Sequence, residues 1–94
     1  MKNRIVREIQ GEETYEYIPL GKYVVSAPAV CRGRPTFKHT RIEVAGVLER
    51  LGSGQAIDDL VVAYQGRVSR EAIEEATSLA ARALVERFPA RSSK

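Results

Sequence analysis

The chain has 94 residues, 44% of them hydrophobic and 29% charged, with a formal net charge of +3. That length holds one small domain without a separate substrate module, and the composition excludes a disordered polyampholyte. A single cysteine, Cys31, excludes an intrachain disulfide framework, and with one histidine a zinc site would need carboxylate ligands.

Residues 1–13 read as an N-terminal arm of mixed charge, anchored by Ile5, Val6 and Ile9. Both a short strand and a frayed arm are open for it. Tyr15 to Val25 is rich in aromatic and β-branched residues and is interrupted by Pro19 and Gly21. That pattern predicts a β-hairpin or two short edge strands. Ser26-Ala-Pro-Ala29 breaks regular structure. Gly33 and Pro35 then predict a rigid turn, Gly33 by allowing a positive φ and Pro35 by fixing its own. Thr36 and Phe37 follow as a short extended piece before a turn at Lys38-His39.

Thr40-Arg-Ile-Glu43 fits a capping box, with Thr40 capping the N–H three residues on and Glu43 reaching back. The helix it would open carries Val44, Val47, Leu48 and Leu51 on one stripe and stops at Gly52-Ser-Gly54. A second helix starts near Ala56, with Ile57, Leu60, Val61 and Tyr64 repeating the stripe and Asp58 and Asp59 in its first turn. Gln65-Gly66-Arg67 ends it. Ser69 is the expected N-cap of a third helix running from about Arg70 to Phe88, stopped by Pro89.

The predicted architecture is α+β: an N-terminal β-hairpin or short sheet followed by a three-helix, helix-turn-helix-like bundle. Residues 14–88 form a single domain, β-rich and basic over 14–39 and helical over 40–88, with a flexible tail at 89–94. The charged start has no apolar run behind it. The longest unbroken apolar stretch, Leu60 to Tyr64, falls far short of the ~20 residues of a membrane span. A cytoplasmic protein is expected.

Charge is distributed unevenly. From Lys22 to Arg41 the chain carries Lys22, Arg32, Arg34, Lys38 and Arg41 without an acid. From Ile42 to Phe88 it carries eight acids against five arginines. A basic segment ahead of an acidic helical one points to contact with a polyanion or an acidic partner, to which Arg67 and Arg70 at the start of the third helix would add. The outward stripe of that helix, Glu71, Glu75, Ser78, Arg82 and Glu86, is mostly acidic and would repel phosphates. Its apolar side is broader than two short helices require, so Leu79, Ala80, Ala83, Leu84 and Phe88 are expected to form a subunit or partner interface.

Other readings are plainer. Cys31 is expected as a small buried apolar residue and His39 as an exposed turn residue, since no third group orients them as nucleophile and base. Tyr15, Tyr17 and Tyr23 would cover a thin core, the alternative being base stacking. Paired carboxylates at Asp58/Asp59 have a sufficient cause in the helix dipole, so neither a metal nor a cofactor is expected.

The run Ser26-x-Pro-x-Val-Cys-x-Gly33-Arg-Pro-Thr-Phe-Lys-x-Thr-Arg-Ile42, then Val44-x-x-Val-Leu-x-x-Leu-x-x-Gly54, then Ile57-x-x-Leu and Tyr64, resembles the bacterial domain-of-unknown-function family 433 over roughly residues 24–85. The resemblance implies a homeodomain-like helix-turn-helix fold and an antitoxin-like role beside a PIN-like ribonuclease toxin. Family members usually have Asp at position 27, Gly at 32 and 39, Pro at 43 and Ser or Thr at 56, where this chain has Ala27, Arg32, His39, Glu43 and Ala56.

The expected function is therefore non-enzymatic. An antitoxin-like homodimer would bind a PIN-like nuclease toxin, DNA, or both, through Lys22, Arg32, Arg34, Lys38, Arg41, Arg67 and Arg70, with Gly33, Pro35 and Thr40 shaping the turn. The alternative is a homo-oligomeric interaction module without DNA binding.

Overall fold

The computed structural model describes residues 4–90. Its elements run β1 (Val6–Gln10), β2 (Glu13–Pro19), β3 (Val24–Ser26), a 3-10 turn at Cys31–Gly33, β4 (Thr36–Phe37), α1 (Val44–Gly52), α2 (Ile57–Ala63) and α3 (Arg70–Arg87). The strands form one antiparallel sheet in the order β1-β2-β3-β4, and three helices follow it. The α+β expectation holds at that level.

Part of the N-terminal arm is a strand. Val6 pairs with Tyr17 and Gln10 with Glu13, leaving a two-residue turn in which Gly11 takes φ +64°. Residues 1–3 of the expected arm, and 91–94 of the expected tail, lie outside the described residues. The hairpin expected within 15–25 is β2 and β3, held by Ile18 opposite Ser26 and Pro19 opposite Val25. Pro28 helps end that ladder: the same register carried on would set Glu16 opposite Pro28, which has no N–H to donate.

Adjacent residues of β3 point to opposite faces, so its two valines serve two clusters. Val24 packs with Phe37, Val44, Val47, Leu60, Val68 and Ile73 under the helices. Val25 packs with Tyr17 and Ala27, backed by Val6, Tyr15 and Val30. Full burial of a side chain such as Leu60 or Ile73 contributes about 1.5–3 kcal/mol.

The first helix begins later than the capping box implies. Glu43, extended at φ −74° and ψ 136°, occupies the N-cap position without a side-chain cap bond, and α1 starts at Val44. The Glu43 carboxylate instead takes two bonds from Arg34, at 2.9 Å each. Thr40 closes a turn: its hydroxyl donates to Phe37 O (2.7 Å) and accepts from Ile42 N–H (3.0 Å). Residues 40–43 thus complete the sheet side of the domain, with Val44 N–H bonded to Pro35 O at 3.0 Å. Ser69 caps α3 as expected, accepting from Ala72 N–H at 3.0 Å.

Candidate functional site

The basic segment is built on strained backbone. Cys31, Arg32 and Gly33 have φ of +50°, +58° and +81°, and His39 has φ +65°. A side chain in the left-handed region costs roughly 1 kcal/mol, which glycine avoids. His39 is the third residue of the turn closed by Thr40 N–H to Phe37 O (3.0 Å), the place where a type II turn favours glycine. Ser26 anchors the other bend, its hydroxyl donating to Gly33 O at 2.6 Å.

The seven cations expected to bind separate into two groups. Arg34 is bidentate to Glu43, which raises the guanidinium pKa and lowers that of the carboxyl. Arg70 reaches Asp58 at 2.7 Å and Glu74 at 3.4 Å, and its pKa rises through the Asp58 hydrogen bond first. Lys38 lies over the Tyr17 ring, 4.0 Å from Glu8, and Lys22 lies over Tyr23. Arg32, Arg41 and Arg67 are exposed and have no carboxylate within ion-pair distance among the described residues.

Two of those three unpaired cations face one groove. It has a volume of about 590 Å³, with β2 residues Glu13 to Glu16 on one wall and Pro28 to Val30, His39 to Arg41 and Arg67 around the rest. The His39 ring stacks on Tyr15 at 5.2 Å, and His39 N–H donates to the Tyr15 hydroxyl at 3.1 Å. His39 Nε2 also lies 2.8 Å from Glu8, whose carboxyl is held below its ordinary pKa by His39 and then by the Tyr17 hydroxyl. These contacts lock the 39–41 turn against the sheet and fix where Arg41 starts.

Tyr17 is buried within the small cluster with Tyr15 half-buried against it, and Tyr23 is half-buried against the main cluster. Cys31 is half-buried, and its Sγ lies 3.6 Å from Arg41 O, while His39 is engaged by Glu8. Among the described residues no three His, Cys, Asp or Glu side chains gather as metal ligands. Glu75 departs from the outward stripe: it is half-buried and accepts from the backbone N–H groups of Lys22 and Tyr23, both at 2.7 Å. No local pattern in α3 announces that role, because its partners lie over fifty positions away.

The expected interface face of α3 separates by depth. Leu79 and Ala80 are half-buried, whereas Ala83 is exposed and Leu84, Val85 and Phe88 are 62%, 66% and 68% exposed. Leu79, Ala80 and Ala83 also line an apolar groove of about 470 Å³ with Leu20, Ala45 and Leu48. Among the described residues no helix is long and apolar enough to cross a membrane.

A family model described as a protein of unknown function, DUF433, matches residues 24–80, more than half of the chain. The chain belongs to the DUF433 family. Comparison with curated proteins and with solved structures finds no match. The DUF433 match begins at β3 and ends within α3. The β1–β2 hairpin, and with it the β2 wall of the groove, lies outside the matched span, as do Ala83, Leu84 and Phe88. Arg32 and His39, the two positions at which the resemblance implies glycine, have left-handed backbone. The chain places a cation and an imidazole on that backbone.

Proposed function

We propose that this DUF433 protein is a non-enzymatic, antitoxin-like regulator that acts by binding an acidic partner protein, a PIN-like nuclease whose active site is rich in carboxylates. The observation that carries the reading is the division among the cations. Arg34 and Arg70 are held by carboxylates of their own chain, while Arg41, Arg67 and Arg32 are not. Glu13 and Glu16 also line the groove, Glu16 paired with Arg7, and the unpaired Arg41 and Arg67 on its fixed walls would raise the encounter rate with an opposite charge and orient it.

DNA is the second reading. What supports it is the succession of two helices, α2 and α3, across the six residues Tyr64 to Ser69, a connection somewhat longer than the usual turn of a helix-turn-helix. Against insertion of α3 into the major groove, its exposed side carries Glu71, Glu74 and Glu86 beside Arg82 and Arg87, with Arg70 held by Asp58 and Glu74, so it offers no net positive charge. Contact with DNA would then fall to the same arginines on phosphates and would weaken steeply with salt. A homo-oligomeric module that binds neither remains the third outcome.

The test is co-expression with a PIN-like nuclease encoded beside this chain, followed by purification of the complex and a mobility-shift assay on duplex DNA. The triple variant Arg32→Glu, Arg41→Glu, Arg67→Glu is expected to lose the nuclease complex, and the wild type to leave duplex DNA unshifted at physiological salt. A complex that survives the triple substitution unchanged would sink the proposal. A salt-sensitive DNA shift abolished by the same substitutions would move the function to DNA.

A further inference from the structure

We infer that the groove takes its partner as a β-strand, an extended acidic segment added to the open edge of β2. This rests on the reading of the groove as the site for an acidic protein and names how that protein is held.

The open edge follows from the register. Leu20 N–H donates to Val24 O at 2.9 Å, so even-numbered residues of the β2 segment turn their backbone groups toward β3, and odd-numbered ones toward β1. β3 pairs only as far as Ile18 opposite Ser26. Continuing that register would set Glu16 opposite Pro28 and Thr14 opposite Val30, yet Pro28 has no N–H and Val30 N–H bonds back to Ala27 O at 2.9 Å. The outward backbone groups of Thr14 and Glu16 therefore have no backbone partner among the described residues, while their opposite edge is fully paired with β1.

That edge is not an unguarded rim. It forms a wall of the 590 Å³ groove, and Arg41 and Arg67 line the same cavity. A strand laid along β2 would bond Thr14 and Glu16 and turn alternate side chains toward the Tyr15 face, against which the His39–Arg41 turn is stacked. Carboxylates at those alternate positions would meet guanidinium groups that lack an internal partner. On the opposite face the groove's Glu16 is paired with Arg7 at 2.7 Å; Glu13 remains as an acid at the turn end. Main-chain bonds would supply affinity and the two arginines the choice of side chain.

The experiment titrates isotopically labelled protein with a capped peptide of about eight residues, the length of an ordinary strand, alternating glutamate and valine, observed by amide NMR. Binding is expected to shift the Thr14 and Glu16 amides and slow their exchange at least ~tenfold, and a lysine–valine peptide is expected to do neither. Thr14→Pro, which removes an edge N–H without touching the β1 ladder, is expected to abolish binding, as is Arg41→Glu with Arg67→Glu. Unmodified protein gives an independent check. Of two peptides N-methylated at the glutamates or at the valines, one is expected to lose binding. Unmoved Thr14 and Glu16 amides, or equal binding of both methylated peptides and the parent, would overturn strand addition. A nuclease complex lost in the arginine variant but kept in Thr14→Pro would leave the charge reading standing and remove this one.

Discussion

Gly21 and Glu75 are in a contact that admits no side chain on the glycine. A Cβ at position 21 would stand 2.6 Å from the carboxyl carbon and one oxygen of Glu75. That carboxylate holds the next two backbone N–H groups, of Lys22 and Tyr23, joining the β2–β3 connection to the second turn of α3. The first prediction is that Gly21→Ala displaces Glu75 and costs about 2 kcal/mol, the scale of losing charge-assisted bonds to partly solvated backbone. Glu75→Ala is expected to cost the same. If the two act through one contact, the double variant is no less stable than Glu75→Ala alone, measured by urea denaturation; additive losses would show independent causes.

Thr36 predicts a gain. Its hydroxyl is buried and has no hydrogen-bond partner among the described residues. Burial of an unpaired hydroxyl costs roughly 1–3 kcal/mol. Thr36→Val keeps the shape and suits a strand, so a rise of about 1 kcal/mol in unfolding free energy is expected. An equal or lower stability in calorimetry would mean that the hydroxyl is satisfied in solution.

Much of the helical half can be read from the sequence because its signals are local. The stripes of α1 and α2, the Gly52-Ser-Gly54 stop and the Ser69 cap each need only a few neighbouring residues, and each lies where expected. The capping box misleads because Glu43 has a competing partner nine positions back, and a bidentate guanidinium outcompetes a backbone N–H. Position 75 has the same lesson at longer range: a helical wheel places Glu75 outward, and only the fold brings Lys22 and Tyr23 to it. For the groove, the sequence marks Arg41 and Arg67 as cations but not that Arg34 and Arg70 are neutralised within the chain. Nor does it disclose the open edge at Thr14 and Glu16, which depends on where β3 stops.

Acid is expected to weaken the sheet side first. Hydrogen bonds from His39 and Tyr17 lower the pKa of Glu8, and those from Arg34 lower the pKa of Glu43, relative to the ordinary 4.5. Unfolding raises each affinity for protons, so the stability these pairs give is complete above about that value and is lost as pH falls through the lowered ones. Urea midpoints measured from neutral pH downward are expected to drop below pH ~4.5, and Glu8→Gln with Glu43→Gln to flatten that limb. An acid limb unchanged in the double variant would assign it to other carboxylates.

At His39 two opposed effects can be separated. The backbone at φ +65° favours glycine, while the imidazole contributes the Glu8 bond and the Tyr15 stack. His39→Ala removes the contacts and keeps the strain; His39→Gly removes both. The glycine variant is therefore expected to be more stable than the alanine variant by about 1 kcal/mol. Equal stabilities in thermal unfolding would mean that position 39 does not keep this backbone.

The exposed end of α3 tests self-association, and depth determines which residue to change. Leu79 packs against the main core, so Leu79→Asp would unfold the protein and say little about partners. Leu84 and Phe88 stand on the last turns, where every residue from 81 to 90 is exposed. Replacing both with Asp is expected to alter stability of the single chain by no more than about 0.5 kcal/mol, as surface changes do. If two copies pair through this face, sedimentation of the wild type gives a concentration-dependent dimer and the double variant stays monomeric, because two buried carboxylates facing an apolar surface outweigh the remaining contact. A wild type that is monomeric throughout, or a dimer that survives both substitutions, removes the C-terminal turns from any homodimer. The nuclease complex of the double variant then shows whether the same turns serve the partner.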